Sequence, residues 1–327
     1  MPNKYEDKNN RKRVLVITGS GKGIGRAIAI EFAKAGYYVM INDLEQEEEL
    51  KHTAKEISKI IDDDNSNNNK VAYIVGDVSE EQTAITLIEE TVRRFGRIDV
   101  LINNAAISDK ASTKKKKTYE TPTTTATNSL NKQASPYFTL EEYEIADANL
   151  KGAYFCIKEA AKQMVINAYE DEEEKQNITT KIGAGGDYSI INISSPYKSI
   201  PKVEADDYTF SMSGIDPFIS SRVGIKALTK TVALQLADSG IRVNAISPGI
   251  IATDIINKQI LEDEGKRKEK EKDIPFHRIG TPEEIAKIAL FLASDNASYI
   301  TGSLIYADGG LSLSRSNYFL EKDIEQD

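Results

Sequence analysis

The sequence predicts a doubly wound α/β fold, a parallel sheet with helices on both faces. Three observations predict it. Short apolar runs rich in β-branched residues recur along the chain, helical apolar periods lie between them, and the first run leads straight into a glycine-rich turn.

The runs are Val14–Ile17, Tyr37–Ile41, Val71–Val75, Ile98–Ile102, Ser189–Ile193, Ile241–Ile246 and Ser303–Tyr306. Several are apolar at nearly every position, as expected of strands covered on both faces. Between them Ile24, Ile28 and Phe32 share one helical face. Ile85, Ile88, Val92 and Phe95 form a second stripe, and Ile225, Leu228, Val232 and Leu236 a third.

The chain has 327 residues, 40% of them apolar. Single α/β domains commonly reach about 250 residues, so we read one domain over 1–327 with its core at about 13–312. Polar insertions interrupt it. Asp62–Asn69 is a polar loop, 108–135 holds KKKK and TPTTTAT, and 168–187 holds EDEEEK followed by GAGG. These are low in apolar residues and read as solvated excursions. The charged stretch KRKEKEKD, 266–273, is expected to be mobile.

A net charge of −9 and a pI near 5.1 disfavour nucleic acid and anionic membranes as partners. No run is long enough to span a bilayer, and the N-terminal MPNKYEDKNNRKR has no apolar signal core. A cytoplasmic location is expected. The single cysteine, Cys156, follows Phe155 in an apolar stretch and reads as a core residue. Two distant histidines, His52 and His277, and one thiol make no zinc site, so no metal is expected.

The first strand run enters Thr18-Gly19-Ser20-Gly21-Lys22-Gly23-Ile24-Gly25, and a helical period follows. Glycine admits positive φ and lets backbone approach a ligand. A helix start presents free N–H groups and the positive end of the dipole to a diphosphate. The second run ends at Asp43, 20 residues after Gly23, where a carboxylate would accept hydrogen bonds from a ribose diol and repel a 2′-phosphate. NAD is therefore expected and NADP is less favoured. Lys22 pulls the other way, since a basic loop residue suits an extra phosphate. Asp43 also has a plain alternative as a helix cap before LEQEEE.

The whole set of motifs resembles the short-chain dehydrogenase/reductase family, and within it the glucose 1-dehydrogenase and 3-oxoacyl reductase group. TGSGKGIG is similar to its TGxxxGxG loop, and Asp77-Val78 to the pair beside the adenine. Asn103-Asn104-Ala105-Ala106 resembles NNAG, Asn149 in NLKGAYF the helix asparagine, and Ser195 in IINISS the serine at a strand end. RVNAISPGIIATDI, with Pro248, Gly249, Ile251 and Thr253, resembles the segment over the nicotinamide. GTPEEIAKIALFLASDNASYITGSLIYADGG resembles the C-terminal signature.

The resemblance implies a Rossmann-type seven-stranded parallel sheet in a dimer or tetramer. It implies hydride transfer between a nicotinamide and an alcohol or ketone of sugar, polyol or oxoacyl type. The implied cofactor contacts are Gly19, Ser20, Lys22, Gly23, Ile24, Gly25, Asp43, Asp77, Val78, Asn104, Ala105, Ala106, Arg222, Pro248, Gly249, Ile251 and Thr253. Asn149 and Ser195 are the implied catalytic pair.

One motif departs. Counted back from RVNAISPG, the family's YxxxK falls on Phe218-Ile219-Ser220-Ser221-Arg222. Phenylalanine has no proton to give, and the arginine fork differs from an ammonium. Tyr208 lies 13 residues after Ser195, the family's usual interval, but Met212 stands four residues beyond it. A short insertion near 209–217 would explain the offset. Three readings stay open: Tyr208 serves with Arg222, Ser195 and a water transfer the proton slowly, or the chain binds a dinucleotide and is silent.

Overall fold

The computed structural model describes residues 12–44, 47–61, 70–107, 140–174, 188–195, 217–253 and 263–314, with the side chains of 140–143, 172–174 and 217–219 left out. The described strands are β1 (Val14–Thr18), β2 (Tyr38–Asp43), β3 (Val71–Val75), β4 (Val100–Asn103), β5 (Tyr188–Ile193), β6 (Ile241–Pro248) and β7 (Leu304–Ala307). They form one seven-stranded sheet in the order β3-β2-β1-β4-β5-β6-β7. Every pairing is parallel. The sequence runs fall on these strands with ends shifted by at most two residues, and Val71–Val75 coincides with β3.

β1, β4, β5 and β6 are buried at every position. Alternation sends successive side chains to opposite faces. Leu15 and Ile17 join one core with Ile28 and Phe32 of α1 (Gly23–Lys34), Leu50 and Ile57 of α2 (Glu47–Ile61) and Ile285 and Leu292. Val16 joins the other with Leu87 of α3 (Glu81–Phe95), Met164 of α4 (Leu140–Glu174) and Val232 of α5 (Pro217–Leu236). Cys156 lies in this second core, and burial pushes its thiol up to about 12.

Two helices correct the sequence reading. The stretch 168–187 was expected to be a solvated insertion, but α4 continues through Glu174. Ala168 is buried, and Asp171 accepts from Arg97 Nη2 at 3.0 Å. Residues 175–187 lie outside the described residues, as do 108–139, Tyr208 and 209–216. Pro217, the last residue of the expected short insertion, already opens α5. The charged KRKEKEK stretch, expected to be mobile, forms α6 (Glu264–Lys272). Asp263 caps it, accepting from Gly265 N and Lys266 N. The i,i+4 pairs Arg267–Glu271 and Lys268–Glu264 support it. A Thr281–Glu284 capping box starts α7 (Pro282–Ala293), which packs on α1.

The sheet order positions the site. β1 has β2 on one side and β4 on the other, so the connections leaving β1 and β4 diverge. In such sheets the crevice at the carboxyl ends of the strands, where the order reverses, receives ligands.

Candidate active site

β1 ends at Thr18 and α1 starts at Gly23, with Gly19 at φ +62° and Gly23 at φ +57°. Both angles favour glycine. Close approach also excludes a side chain. A Cβ on Gly19 would lie 2.7 Å from Ala105 Cα, and one on Gly25 would lie 2.6 Å from Asn104 Nδ2. The loop after β4 is thus packed against the turn after β1. Lys22, the N-cap of α1, makes no side-chain cap. The first N–H groups of that helix face the mouth of the turn, the arrangement that suits a diphosphate.

Hydroxyls and amides fasten the two loops together. Thr18 Oγ1 accepts from Asn104 N and Ala105 N, each at 3.1 Å. Asn104 Nδ2 donates to Gly19 O at 2.6 Å. Ser20 turns inward: its hydroxyl donates to Asn42 O and accepts from Asn42 N, both at 3.1 Å. Its backbone N–H also donates to Asn42 O, at 2.9 Å, so Ser20 pins the turn to β2. Asn104 and Ala105 likewise support the loop, and Ala106 follows on the exposed side.

Asp43 closes the outer wall. Its Oδ2 accepts from Gly21 N at 2.9 Å and its Oδ1 from Leu44 N at 2.8 Å. The carboxylate is therefore presented to the turn at the place expected for a ribose. At the end of β3, Asp77 Oδ1 accepts from Ser79 N at 2.9 Å, fixing the turn that carries the buried Val78.

The segment after β6 arrives from the far side. Gly249 N donates to Ala307 O at 3.0 Å, and a Cβ on Gly249 would lie 2.7 Å from Asp308 Cα, so Pro248-Gly249 is held tightly against the β7 exit. Ile251 is buried in the core and bridges to Gly280, which leaves only its backbone for a cofactor. Thr253 reaches the phosphate turn itself: its Cγ2 lies 3.3 Å from where a Cβ of Gly23 would sit.

Ser195, Asn149 and Arg222 gather at the end of β5. Ser195 is 6% exposed. Asn149 Oδ1 accepts from Ile107 N at 2.8 Å, while its Nδ2 donates to Ile107 O at 3.0 Å and Ser221 Oγ at 3.2 Å. Arg222 is buried and donates from Nη1 to Ile193 O at 2.6 Å. Ser194 Oγ donates to Arg222 O at 2.9 Å. Burial lowers the Arg222 guanidinium to about 10, so it stays charged at neutral pH. The backbone of Phe218 lies one helical turn before Arg222 on α5.

The site-supporting residues missed by the sequence reading are Thr18, Glu49, Thr53 and Ser221. Thr18 opens the glycine motif in the sequence, but nothing there shows that its hydroxyl holds the loop after β4. Thr53 donates to Gly21 O at 3.1 Å from 32 positions away, and nothing local to it marks that contact.

The chain matches the family model described as enoyl-(acyl carrier protein) reductase over residues 19–170 and 198–312. It is 36% identical over 299 residues to the L-rhamnose-1-dehydrogenase of Scheffersomyces stipitis, covering 91% of this chain and 95% of that one. A short-chain type dehydrogenase/reductase from Mycobacterium marinum superposes with a TM-score of 0.68 at 26% identity, covering 92% and 96%. ElxO, solved with NADP bound, superposes with a TM-score of 0.65 at 28% identity, covering 92% and 98%.

Proposed function

The chain belongs to the short-chain dehydrogenase/reductase family, and from that premise we propose that it binds NAD(H) and acts on an alcohol/ketone pair of sugar or polyol type. The observation that carries the cofactor choice is Asp43 bonded to Gly21 N at 2.9 Å. A fixed carboxylate there accepts from a ribose diol and repels a 2′-phosphate. The glycine cradle fits a dinucleotide, because side chains are excluded where its diphosphate would lie. Sugar-type substrates are favoured by the likeness to the rhamnose dehydrogenase.

Gly19, Gly23 and Gly25 with the α1 start would hold the diphosphate, and Asp77 and Val78 would flank the adenine. Pro248, Gly249 and Thr253 would close over the nicotinamide. When bound, that ring supplies or accepts the hydride. Ser195 is proposed to donate its hydroxyl hydrogen to the substrate oxygen. Asn149 holds the loop after β4 and the start of α5 in register. Arg222 supplies positive charge behind the strand end, and Tyr208 is proposed as the phenol that gives or takes the proton. The exposed Tyr154 and Leu234 favour self-association.

A second reading has its own support. Arg222 spends one donor on Ile193 O, and Phe218 cannot ionise. These favour a dinucleotide-binding protein with little turnover. The test is absorbance of the reduced cofactor with a panel of sugars, polyols and ketones. Turnover abolished by Ser195→Ala supports the enzyme. Dinucleotide binding with no turnover above background supports the second reading. Asp43→Asn should weaken NAD binding, and a wild-type preference for NADP would contradict the cofactor assignment.

A further inference from the structure

Lys22 invites a 2′-phosphate by charge, yet it lies 3.9 Å from Glu49 Oε2. Glu49 sits in the first turn of α2, where the helix dipole welcomes any acid. Its neighbours Glu47 and Glu48 behave as such acids, exposed and paired with Lys51. Glu49 instead faces the phosphate turn. Its Cβ lies 3.4 Å and its Oε2 3.5 Å from where a Cβ of Gly21 would sit, and Asp43 Oδ2 lies 3.0 Å from the same point.

Glu49 Oε2 is shut off from solvent, and among the described residues no hydrogen-bond donor reaches it. The rest of the side chain is half-exposed. One turn further along α2, Thr53 donates to Gly21 O at 3.1 Å and holds the helix against the loop. Two carboxylates therefore converge on one side of Gly21, and only Asp43 already has donors there.

We infer that Glu49 is a second cofactor-specificity residue, which excludes a 2′-phosphate and holds Lys22 away from one. This rests on the NAD reading of Asp43 and extends it. The other carboxylate oxygen of Glu49, on the half-exposed part of the side chain, offers the ribose diol a second acceptor. Its negative charge adds to that of Asp43 against a phosphate. By pairing with Lys22 it cancels a cation beside the turn that would favour NADP.

The test is equilibrium binding of NAD and NADP, followed by calorimetry or by quenching of protein tyrosine fluorescence, at fixed salt. Glu49→Gln keeps the shape and removes the charge. It should improve the NADP/NAD affinity ratio by about tenfold, the scale of one charge at a half-exposed site. Lys22→Gln should weaken NADP binding less in the wild-type background than in Glu49→Gln, where it should reverse the gain. Thermal melts of each variant report folding, and a ratio taken within one variant is insensitive to a modest loss of stability. An unchanged ratio in Glu49→Gln, with wild type preferring NAD, overturns this inference and leaves Asp43 standing. A wild type that binds neither dinucleotide overturns the cofactor reading and this inference together. A Lys22→Gln effect equal in both backgrounds overturns the proposed pairing.

Discussion

Asn149 and Ser221 are joined side chain to side chain at 3.2 Å, so this hydrogen bond links α4 to α5 near the end of β5. Asn149 also brackets both backbone groups of Ile107, and the loop after β4 is therefore tied to the same point. Asn149→Ala should cost about 1–3 kcal/mol, because the Ile107 amide loses its acceptor. Ser221→Ala leaves both Asn149 bonds to Ile107 in place and should cost about 0.5–1.5 kcal/mol. Urea unfolding of the two variants checks the order, and a larger loss in Ser221→Ala would contradict it.

The two departures from YxxxK can be reversed together. Phe218→Tyr with Arg222→Lys restores a phenol and an ammonium one helical turn apart on α5. If the native enzyme is slow for want of a placed acid/base, turnover should rise by about 10²- to 10⁴-fold. Initial rates at saturating cofactor measure it. An unchanged rate, together with loss of native activity in Tyr208→Phe, would assign the proton to Tyr208 instead.

Arg97 neutralises two carboxylates beneath the sheet. It lies 2.7 Å from Asp99 and 3.0 Å from Asp171. Asp99 is buried and also accepts from Val14 N at 2.7 Å. Burial pushes the Asp99 carboxyl above its usual range, and Arg97 pulls it back. Arg97→Met removes the cation bonded to that carboxylate, leaving only the weaker pull of Arg13 among the cations acting on it in the described residues, and should cost about 3–5 kcal/mol at pH 7. Loss of the arginine raises the folded-state pKa further, so the variant favours the protonated form. Its deficit should be full at neutral pH and shrink as pH falls towards the unfolded carboxylate range. Unfolding at pH 7 and pH 4.5 tests this, and a deficit constant with pH would contradict it.

Cys156 gives the opposite end of the pH scale. In the folded chain its thiol titrates near 12, while an unfolded one titrates near 9. The unfolded state loses its proton first, so stability should fall as pH rises through that interval and level off above it. Cys156→Ala should flatten this fall, after allowance for the cavity it leaves. In native protein at pH 8 the thiol should resist a disulfide reagent until denaturant is added. Rapid native labelling would place the thiol at the surface and contradict the packing.

The sheet was legible because its strands are buried on both faces, and burial leaves a run of apolar residues with little interruption. The phosphate turn was legible because steric crowding at Gly19 and Gly25 admits no side chain. The end of α4 was not, since Ala168–Glu174 carries a string of acids, and the partner of Asp171, Arg97, is 74 positions away. α6 could have been found: the i,i+4 charge pairs of Arg267–Glu271 and Lys268–Glu264 are written in the sequence, but the high charge points equally to a mobile segment. Around the turn, Asp43 follows from spacing. Glu49 does not, because three successive glutamates look alike until the helix rotation selects one.

The strand order has a consequence for how the molecule must come into being. An all-parallel ladder contains no hairpin, and each pair closes only after a long excursion of chain. Such topologies assemble slowly. β1 emerges first from the ribosome, yet the loop that follows β4 and the threonine that meets Gly23 come later, the latter 230 residues downstream. A nascent chain ending near residue 107 would hold the glycine turn without the wall contributed by Thr253. Dinucleotide capture should therefore mark the end of synthesis rather than its early stages.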